Sequence, residues 1–203
     1  MELDHIAVSG MELAGATRHA EDVLGAVLQP GGEHAVFHTH NTLLGLEDGL
    51  YLEAIAINPG APQPERPRWF DLDRFDRPPR LTNWICRCAD LDATVAALPD
   101  GFGTPVSLQR GDLRWRMAVP DSGVLPFDNC APALIEWEGT DHPAQRLKPS
   151  GCRLMSLEVH HPEAAALAAL LAPQLANERI RFLPGEAGLR AVFETPAGAR
   201  ALL

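Results

Sequence analysis

The same order of predicted elements occurs twice in this sequence, and that repeat limits the fold more than any single motif. Residues 1–58 have the pattern of a strand, a helix and three strands, and residues 81–148 show the same order again. A proline-rich connector, residues 59–80, separates the two modules. Residues 149–203 resemble a partial third module with the order βαββ. The fold class is therefore α+β, with paired modules.

Two alignments define the repeat. Matching the predicted helices at Leu13 and Leu91 gives an offset of 78 residues (91 − 13). Matching the last strands at Glu53 and Glu136 gives an offset of 83 residues (136 − 53). We therefore expect a net insertion of five residues in the second module.

An acidic residue interrupts an apolar strand in each module. Leu50–Asn58 alternates like a strand, yet both of its faces are largely apolar, which is typical of a central strand covered on both sides. Glu53 lies in the middle of this run, and Glu136 lies in the strand Ala133–Trp137. A buried carboxylate needs a cation, a metal ion or a set of hydrogen-bond donors. The alternative is a glutamate at a strand exit, or one whose carboxylate backbone donors satisfy.

Local patterns predict the element boundaries. Ser9 and Glu12 have the spacing of a capping box, which predicts a helix that runs to about Leu24 and stops at Gly25. Gln-Pro-Gly-Gly at 29–32 predicts a loop. The remaining predicted strands of the first and third modules are Leu3–Val8, Ala35–His38, Asn41–Leu46, Arg153–Val159, Ile180–Leu183 and Leu189–Phe193.

Composition excludes several classes of protein. The formal net charge of −10 argues against binding to nucleic acid. No apolar run approaches the length of a membrane span, so we expect no membrane partner. The N-terminus enters a strand pattern directly, without the basic and apolar regions of a signal peptide, which favours a cytoplasmic protein.

Several stretches resemble the glyoxalase-like domain family of the vicinal oxygen chelate superfamily, which includes glyoxalase I, extradiol dioxygenases and bleomycin-resistance proteins. The resemblance spans most of the chain and implies a curved eight-stranded mixed sheet around a cavity. Its stretches are Leu3-Asp4-His5-Ile6, His38-Thr39-His40-Asn41, Tyr51-Leu52-Glu53, Leu113-Arg114-Trp115-Arg116, Leu125-Pro126-Phe127, Ile135-Glu136-Trp137 and His142-Pro143.

The resemblance also implies a metal site, with ligands on the first and fourth strands of each module. Carried over by position, these ligands are His5, Glu53, Asn83 and Glu136. Asn83 departs from the histidine often found at its position. One imidazole and two carboxylates suit a divalent ion such as Zn, Ni, Mn or Fe(II). The alternative is that His5 hydrogen-bonds one of the glutamates and no metal is bound.

These positions suggest an enzyme that acts on a small molecule. The leading hypothesis is a glyoxalase-like lyase or isomerase, assisted by a divalent metal, that acts on an oxygenated metabolite. Glu53, Glu136 and His40 are the candidate acid–base residues. The alternative is a metal-free protein that binds and sequesters a small molecule, as resistance proteins of the superfamily do. A structural or protein-interaction domain is the third reading.

Polar residues near the predicted cavity are the candidate substrate contacts. In the first module these are His38, His40 and Asn41. In the second module the alternation of Leu113–Met117 offers two exclusive arrangements. Either Arg114 and Arg116 face the cavity and bind an anionic group, or Trp115 faces it and forms an apolar wall; the candidates are Arg114, Trp115 and Arg116. Open sheet edges are also compatible with a homodimer.

Overall fold

A computed structural model describes all 203 residues. The first module contains β1 (Glu2–Ser9), α1 (Leu13–Leu24), β2 (Gln29–His34), β3 (Thr39–Gly45) and β4 (Tyr51–Ile57). The second module contains β5 (Arg80–Arg87), α2 (Leu91–Ala96), β6 (Thr104–Arg110), β7 (Leu113–Val119) and β8 (Ala133–Trp137), followed by α3 (Pro143–Arg146). The rest of the chain contains β9 (Arg153–His160), α4 (Ala164–Leu171), β10 (Ile180–Leu183), β11 (Gly188–Thr195) and β12 (Gly198–Leu202). Short 3-10 turns span Glu47–Gly49 and Trp69–Arg74.

The two modules form one mixed sheet of eight strands in the order β2-β3-β4-β1-β5-β8-β7-β6. β1 and β5 pair antiparallel at the centre, while β1 pairs parallel with β4 and β5 pairs parallel with β8. The sheet curls until its edge strands β2 and β6 approach each other. Its inner face surrounds a cavity, and its outer face carries α1 and α2. The predicted α+β fold with paired βαβββ modules is confirmed.

The C-terminal residues form a second sheet of four strands in the order β10-β9-β11-β12. This sheet packs against the outer face of the large one, where Phe182 of β10 meets the buried Trp84 of β5 edge-on. The backbone N–H of Leu81 also donates to the carbonyl of Leu203 at 2.7 Å. The two sheets share one hydrophobic core, and β12 is a strand that the sequence prediction omitted.

Three local predictions are wrong. Ser9 ends β1 and bonds Thr82, and Glu12 occupies the N-cap of α1 without a side-chain cap, so no capping box forms. The residues 29–32 lie in β2 rather than in a loop. Residues 35–38 form a turn rather than a strand, with His38 in the left-handed region at φ 51°. Gly25 does end α1, in the left-handed conformation expected there. No helix of the protein has the length and apolar character needed to cross a bilayer.

The strand register shows which residues of the two modules correspond. In the antiparallel β1–β5 pair, Ile6 lies opposite Trp84, with His5 opposite Ile85 and Ala7 opposite Asn83. Ile6 and Trp84 are therefore counterparts, which gives the offset of 78 (84 − 6). Glu53 lies opposite Ala7, and the counterpart of Ala7 is Ile85. Ile85 lies opposite Ala133, so Ala133, not Glu136, is the counterpart of Glu53.

The predicted offset of 83 for the last strands is therefore wrong, and the register gives 80 (133 − 53). Side chains alternate along a strand, so a shift by an odd number of residues, here three, exchanges the two faces. The correction therefore moves Glu136 to the opposite face of the sheet.

Candidate functional site

A small cavity lies on the inner face between the two modules. Its volume is about 20 Å³, which is room for one water molecule. Strands β1 to β4 supply most of its polar lining, and β6 supplies one cation. The polar residues are His5, His34, Asn41, Tyr51, Glu53 and Arg110.

A β-bulge places Asp4 beside His5, although neighbouring strand residues normally point to opposite faces. Leu3 and His5 pair with the consecutive residues Cys86 and Ile85, so Asp4 is the extra residue of β1. Its carboxylate is fully buried and lies 2.6 Å from Nδ1 of His5. The bulge thus creates an Asp–His pair within one strand.

Other donors also surround Asp4, among them Arg87, whose Nη1 lies 3.9 Å from Oδ2. Nε2 of His142 lies 2.9 Å and Nε1 of Trp137 lies 3.1 Å from its Oδ2. Burial would raise the pKa of Asp4, but the hydrogen bonds from His142 and His5 outweigh it and hold that pKa well below its usual range. Asp4 is therefore ionised and accepts a hydrogen bond from Nδ1 of His5, so Nε2 is the ring nitrogen that faces Glu53.

Nε2 of His5 faces Glu53 across a gap. The distance from His5 Nε2 to Glu53 Oε2 is 3.8 Å, which is too long for a hydrogen bond. The Nδ2 group of Asn41 donates to Oε1 of Glu53. Tyr51 stacks on the His5 ring with centroids 4.2 Å apart, and burial followed by the charges of Asp4 and Glu53 raises its pKa, so Tyr51 stays protonated. His5 and Glu53 are therefore held apart, His5 by the stacked Tyr51 ring and Glu53 by Asn41.

His34 is a neutral member of the site. Burial first, and then the charge of Arg110, lowers its pKa to about 3. Its Nε2 lies 3.4 Å from Nη1 of Arg110 and 3.4 Å from Nδ2 of Asn41, and both of those groups can only donate. Nε2 is therefore the acceptor, and Nδ1 carries the proton that it donates to the Thr39 hydroxyl at 2.9 Å.

The rest of the lining is apolar and comes largely from the second module and the connector. It includes Trp69, Phe70, Trp115, Met117 and Trp137. Phe70 also lines a larger pocket of about 440 Å³. Phe70 and Asp71 have φ values of 60° and 58°, a backbone conformation that non-glycine residues seldom adopt. Because the cavity holds about one water molecule, a larger ligand needs a wall residue to move, and Phe70 lines both the cavity and the larger pocket.

Among the predicted substrate contacts, Asn41 and Trp115 line the cavity and the others do not. Of the two exclusive arrangements of β7, the structure has the one in which Trp115 faces inward. Arg114 is exposed, and Arg116 ion-pairs with Asp92 at 2.6 Å beside α2.

The two histidines of the β2–β3 connection are also outside the cavity. His38 belongs to the turn before β3. His40 alternates with Asn41 and therefore points to the outer face, where burial lowers its pKa. Neither position supports the predicted contact with substrate.

The four predicted metal ligands do not converge. His5 and Glu53 face each other, but Glu136 lies on the outer face, where it accepts from Arg116 and from the backbone N–H of Leu91. Asn83 is fully buried on the inner face outside the cavity, where its Oδ1 lies 3.5 Å from Nδ2 of Asn129 and its own Nδ2 has no partner. No group of three His, Cys, Asp or Glu side chains is arranged to hold a metal ion.

The donors present therefore do not fit the four-ligand site that the resemblance implies. The inner-face counterpart of Glu53 is Ala133, which has no side-chain donor. In addition, the Arg110 guanidinium brings a fixed positive charge to the same cavity.

Sequence reasoning missed five polar residues of the site: Asp4, His34, Tyr51, Arg110 and His142. Asp4 and His142 lie in stretches that carry the family resemblance, so a signal existed, but strand alternation placed Asp4 on the wrong face. His34 lay next to the predicted loop, in a segment rich in glycine. Nothing in the local sequence of Arg110 distinguishes it from other strand-end arginines.

The comparisons with known proteins agree with this architecture. The sequence profile of a family described as "Glyoxalase-like domain" matches residues 3–175. A hypothetical protein from Staphylococcus aureus has a similar structure, with a TM-score of 0.60, 14% identity, and coverage of 92% of this chain and 86% of that one.

Two epimerases are more distant in structure. Methylmalonyl-CoA epimerase from Mycobacterium tuberculosis has a TM-score of 0.44 at 19% identity, over 68% of this chain and 88% of that one. A Streptomyces coelicolor methylmalonyl-CoA epimerase in complex with 2-nitronate-propionyl-CoA has a TM-score of 0.43 at 17% identity, over 70% and 97%. The comparison with curated protein sequences finds no match. Since the profile covers most of its length, this chain belongs to the glyoxalase-like domain family.

Proposed function

We propose that this protein is a glyoxalase-like isomerase or lyase that moves a proton on a small oxygenated metabolite. One observation carries the proposal: Nε2 of His5 and the carboxylate of Glu53, both buried, face each other across 3.8 Å in the cavity, with ionised Asp4 behind His5. Burying these groups opposes folding unless they are compensated, so a purely structural role would favour apolar residues there. An acid–base pair is the role that their geometry supports.

The chemistry follows from the positions of the two groups. One of them removes a proton from a carbon next to a carbonyl, so the C–H bond breaks and its electron pair moves toward the carbonyl oxygen. The conjugate acid then returns the proton to a neighbouring atom or to the other face, which isomerises the substrate without a change of redox state. In a substrate with a β leaving group, the same electron pair expels that group instead.

Asp4 acts through His5 rather than on the substrate. Its hydrogen bond to Nδ1 fixes the tautomer of His5 that presents a lone pair at Nε2, and its charge stabilises the imidazolium that forms when Nε2 takes a proton. Asn41 positions Glu53 in the same way, through its donation to Oε1. No step of this proposal depends on a divalent ion, because the donor set does not fit one.

A metal-free binding protein is the second candidate. The aromatic wall of Trp69, Phe70, Trp115 and Trp137 favours it, since such side chains bury flat apolar ligands. A binding protein predicts stoichiometric complex formation without turnover. The enzyme predicts turnover that depends on both His5 and Glu53.

Deuterium exchange tests the enzyme directly. The protein is incubated in D₂O with a panel of small 2-hydroxy aldehydes and ketones, hemithioacetals of 2-oxoaldehydes and acyl thioesters, and NMR follows incorporation at the α carbon. We expect exchange with at least one class, and loss of it in Glu53→Gln and His5→Gln. Glu136→Gln is the matched control, because that carboxylate lies on the outer face and should leave exchange unchanged.

Metal dependence is tested with the same reaction. We expect equal rates after treatment with a chelator and after addition of Zn, Ni, Mn or Fe(II). Exchange that persists in both site variants would contradict the assignment of His5 and Glu53. A rate that requires one of the metals would contradict the proposal that the protein groups act alone.

A further inference from the structure

Arg110 lies where the two modules meet, and its charge has no acidic partner. It is the last residue of β6, and its side chain crosses the opening of the curled sheet to reach the first module. Nη1 donates to Oδ1 of Asn41 at 3.1 Å and lies 3.4 Å from Nε2 of His34. Both partners are neutral. A half-buried guanidinium without a carboxylate is unfavourable, so its presence calls for a reason.

The glycines of β2 make room for this arginine. A Cβ at Gly32 would lie 2.8 Å from Cδ of Arg110, and a Cβ at Gly31 would lie 2.0 Å from Oδ1 of Asn41. Any other residue at either position would displace the Arg110–Asn41 contact. Gly31 and Gly32, which suggested a loop in the sequence, therefore allow β2 to lie close to Asn41 and Arg110.

Asn41 keeps Arg110 and Glu53 from neutralising each other. Its Oδ1 accepts from Arg110 and its Nδ2 donates to Glu53, so one neutral amide lies between the cation and the carboxylate. An ion pair between Arg110 and Glu53 would occupy both groups. With Asn41 between them, Nε and Nη2 of Arg110 remain without a protein partner, on a residue that lines the cavity.

We propose that Arg110 is an anion subsite. It binds a carboxylate of the substrate, or the enolate oxygen that develops when the substrate loses its proton. This inference rests on the proposed function and names its substrate class as a metabolite with an anionic oxygen close to the reacting carbon. The guanidinium presents donors in a planar fork that matches a carboxylate. In the second module, whose inner face lacks the carboxylate ligand, this fixed cation supplies the electrostatic stabilisation of the oxyanion.

Anion binding can be measured without a known substrate. The probes are oxalate, malonate and inorganic phosphate, with the uncharged malonamide as a matched control. Binding is followed by the fluorescence of the tryptophans in the cavity wall and by the shift in unfolding temperature. We expect at least one anion to bind to the wild-type protein and malonamide not to bind. Absence of binding by all three anions would overturn the proposal.

Variants distinguish an anion-binding role of Arg110 from a purely structural contact between the two modules. We expect Arg110→Gln to weaken anion binding by at least roughly tenfold, and Arg110→Lys to keep part of it because the charge remains without the fork. Arg116→Gln, which alters an arginine on the outer face, should leave anion binding unchanged. A folded Arg110→Gln protein with undiminished anion affinity would overturn the proposal. If Arg110→Gln does not fold, undiminished affinity in Arg110→Lys and in Gly32→Ala would overturn it.

Failure of the proposed function gives a different result. Glu53→Gln should abolish deuterium exchange while it keeps or strengthens anion binding, because it removes a negative charge near the site. Anion binding that depends on Arg110, together with no exchange by the wild type, would retain the subsite and reject the enzyme. Deuterium exchange without Arg110-dependent anion binding would retain the enzyme and reject the anion subsite.

Discussion

The two modules have the same strand register and different chemistry. Each has one β-bulge in the central β1–β5 pair: Asp4 is the extra residue of β1, and Thr82, 78 residues later, is the extra residue of β5. In the first module the bulge places a carboxylate beside His5. In the second it places a hydroxyl beside Asn83, where Thr82 bonds Ser9 instead of activating a neighbour. A shared backbone thus carries an aspartate–histidine pair on one side only.

The same contrast continues along the inner face. Glu53 corresponds to Ala133, as the register of the parallel pairs shows. Ile55 and Ile135 are counterparts, because the offset between the last strands is 80 (135 − 55). Asn41 lies opposite Ile55 and Met117 lies opposite Ile135, so Met117 takes the place of Asn41. The first module therefore supplies the polar groups that can move a proton, and the second supplies an apolar wall. Arg110 is the charged contribution of the second module to the cavity.

The largest effect should come from the two glutamates that the sequence pairs and the structure separates. Glu53→Gln removes the base from the cavity but keeps the Asn41 contact, so we expect turnover to fall by about 10²–10⁴-fold. Glu136→Gln changes only the outer-face contacts with Arg116 and Leu91 and should leave turnover within about twofold, the scale expected of a substitution outside the site. Initial rates with any substrate that exchanges deuterium give the comparison, and equal losses in both variants would contradict the asymmetry.

The repeat in the sequence predicted the fold because burial patterns are local. Strands β1, β4, β7 and β8 and the stop of α1 at Gly25 follow from alternation and turn chemistry. The pairing of His5 with Glu53 follows from the same pattern, since each lies on a strand with one face toward the cavity. These features need no information about distant residues.

The rest of the site depends on contacts that the local pattern does not contain. The offset to β8 depended on how loops absorb insertions, and an odd error reversed the face of Glu136. The bulge at Asp4 broke the alternation that assigned its face. β2 violates strand propensity at Gly31 and Gly32 because it must accept Asn41 and Arg110 at close range. A tertiary requirement overrode the local preference in each case.

The next effect in size should come from Asp4, because the bulge makes it the partner of His5. Asp4→Asn keeps the shape but cannot accept from His5, His142 and Trp137 as a carboxylate does. The His5 tautomer is then no longer fixed, and we expect kcat to fall by roughly 10²-fold or more. Asp92→Asn, at an exposed acid on α2, is the matched control and should not change kcat. An Asp4→Asn enzyme with unchanged kcat would show that His5 needs no orientation.

His34 should make the stability of the whole protein depend on pH. The pKa of His34 is about 3 in the folded protein against 6.5 in the unfolded chain, so only the unfolded state takes up a proton between these values. Its contribution is complete above pH 6.5 and is lost as the pH falls, by about 2 kcal/mol at pH 5. Urea unfolding at pH 7.5 and pH 5 measures the change. His34→Gln should lose less stability than the wild type over this interval; an equal loss would assign the effect to other groups.

The smallest effect should come from Thr82, the bulge residue of the second module. Its hydroxyl lies 2.6 Å from Oγ of the buried Ser9, so Thr82→Val leaves that atom short of a partner and should lower the free energy of unfolding by about 1–2 kcal/mol. Turnover should not change, since neither hydroxyl lines the cavity. The double variant Ser9→Ala/Thr82→Val removes both partners and should recover most of the loss. Urea unfolding of the single and double variants measures the coupling. A loss of turnover in Thr82→Val would mean that the second bulge also serves the reaction, and the division between the modules would fail.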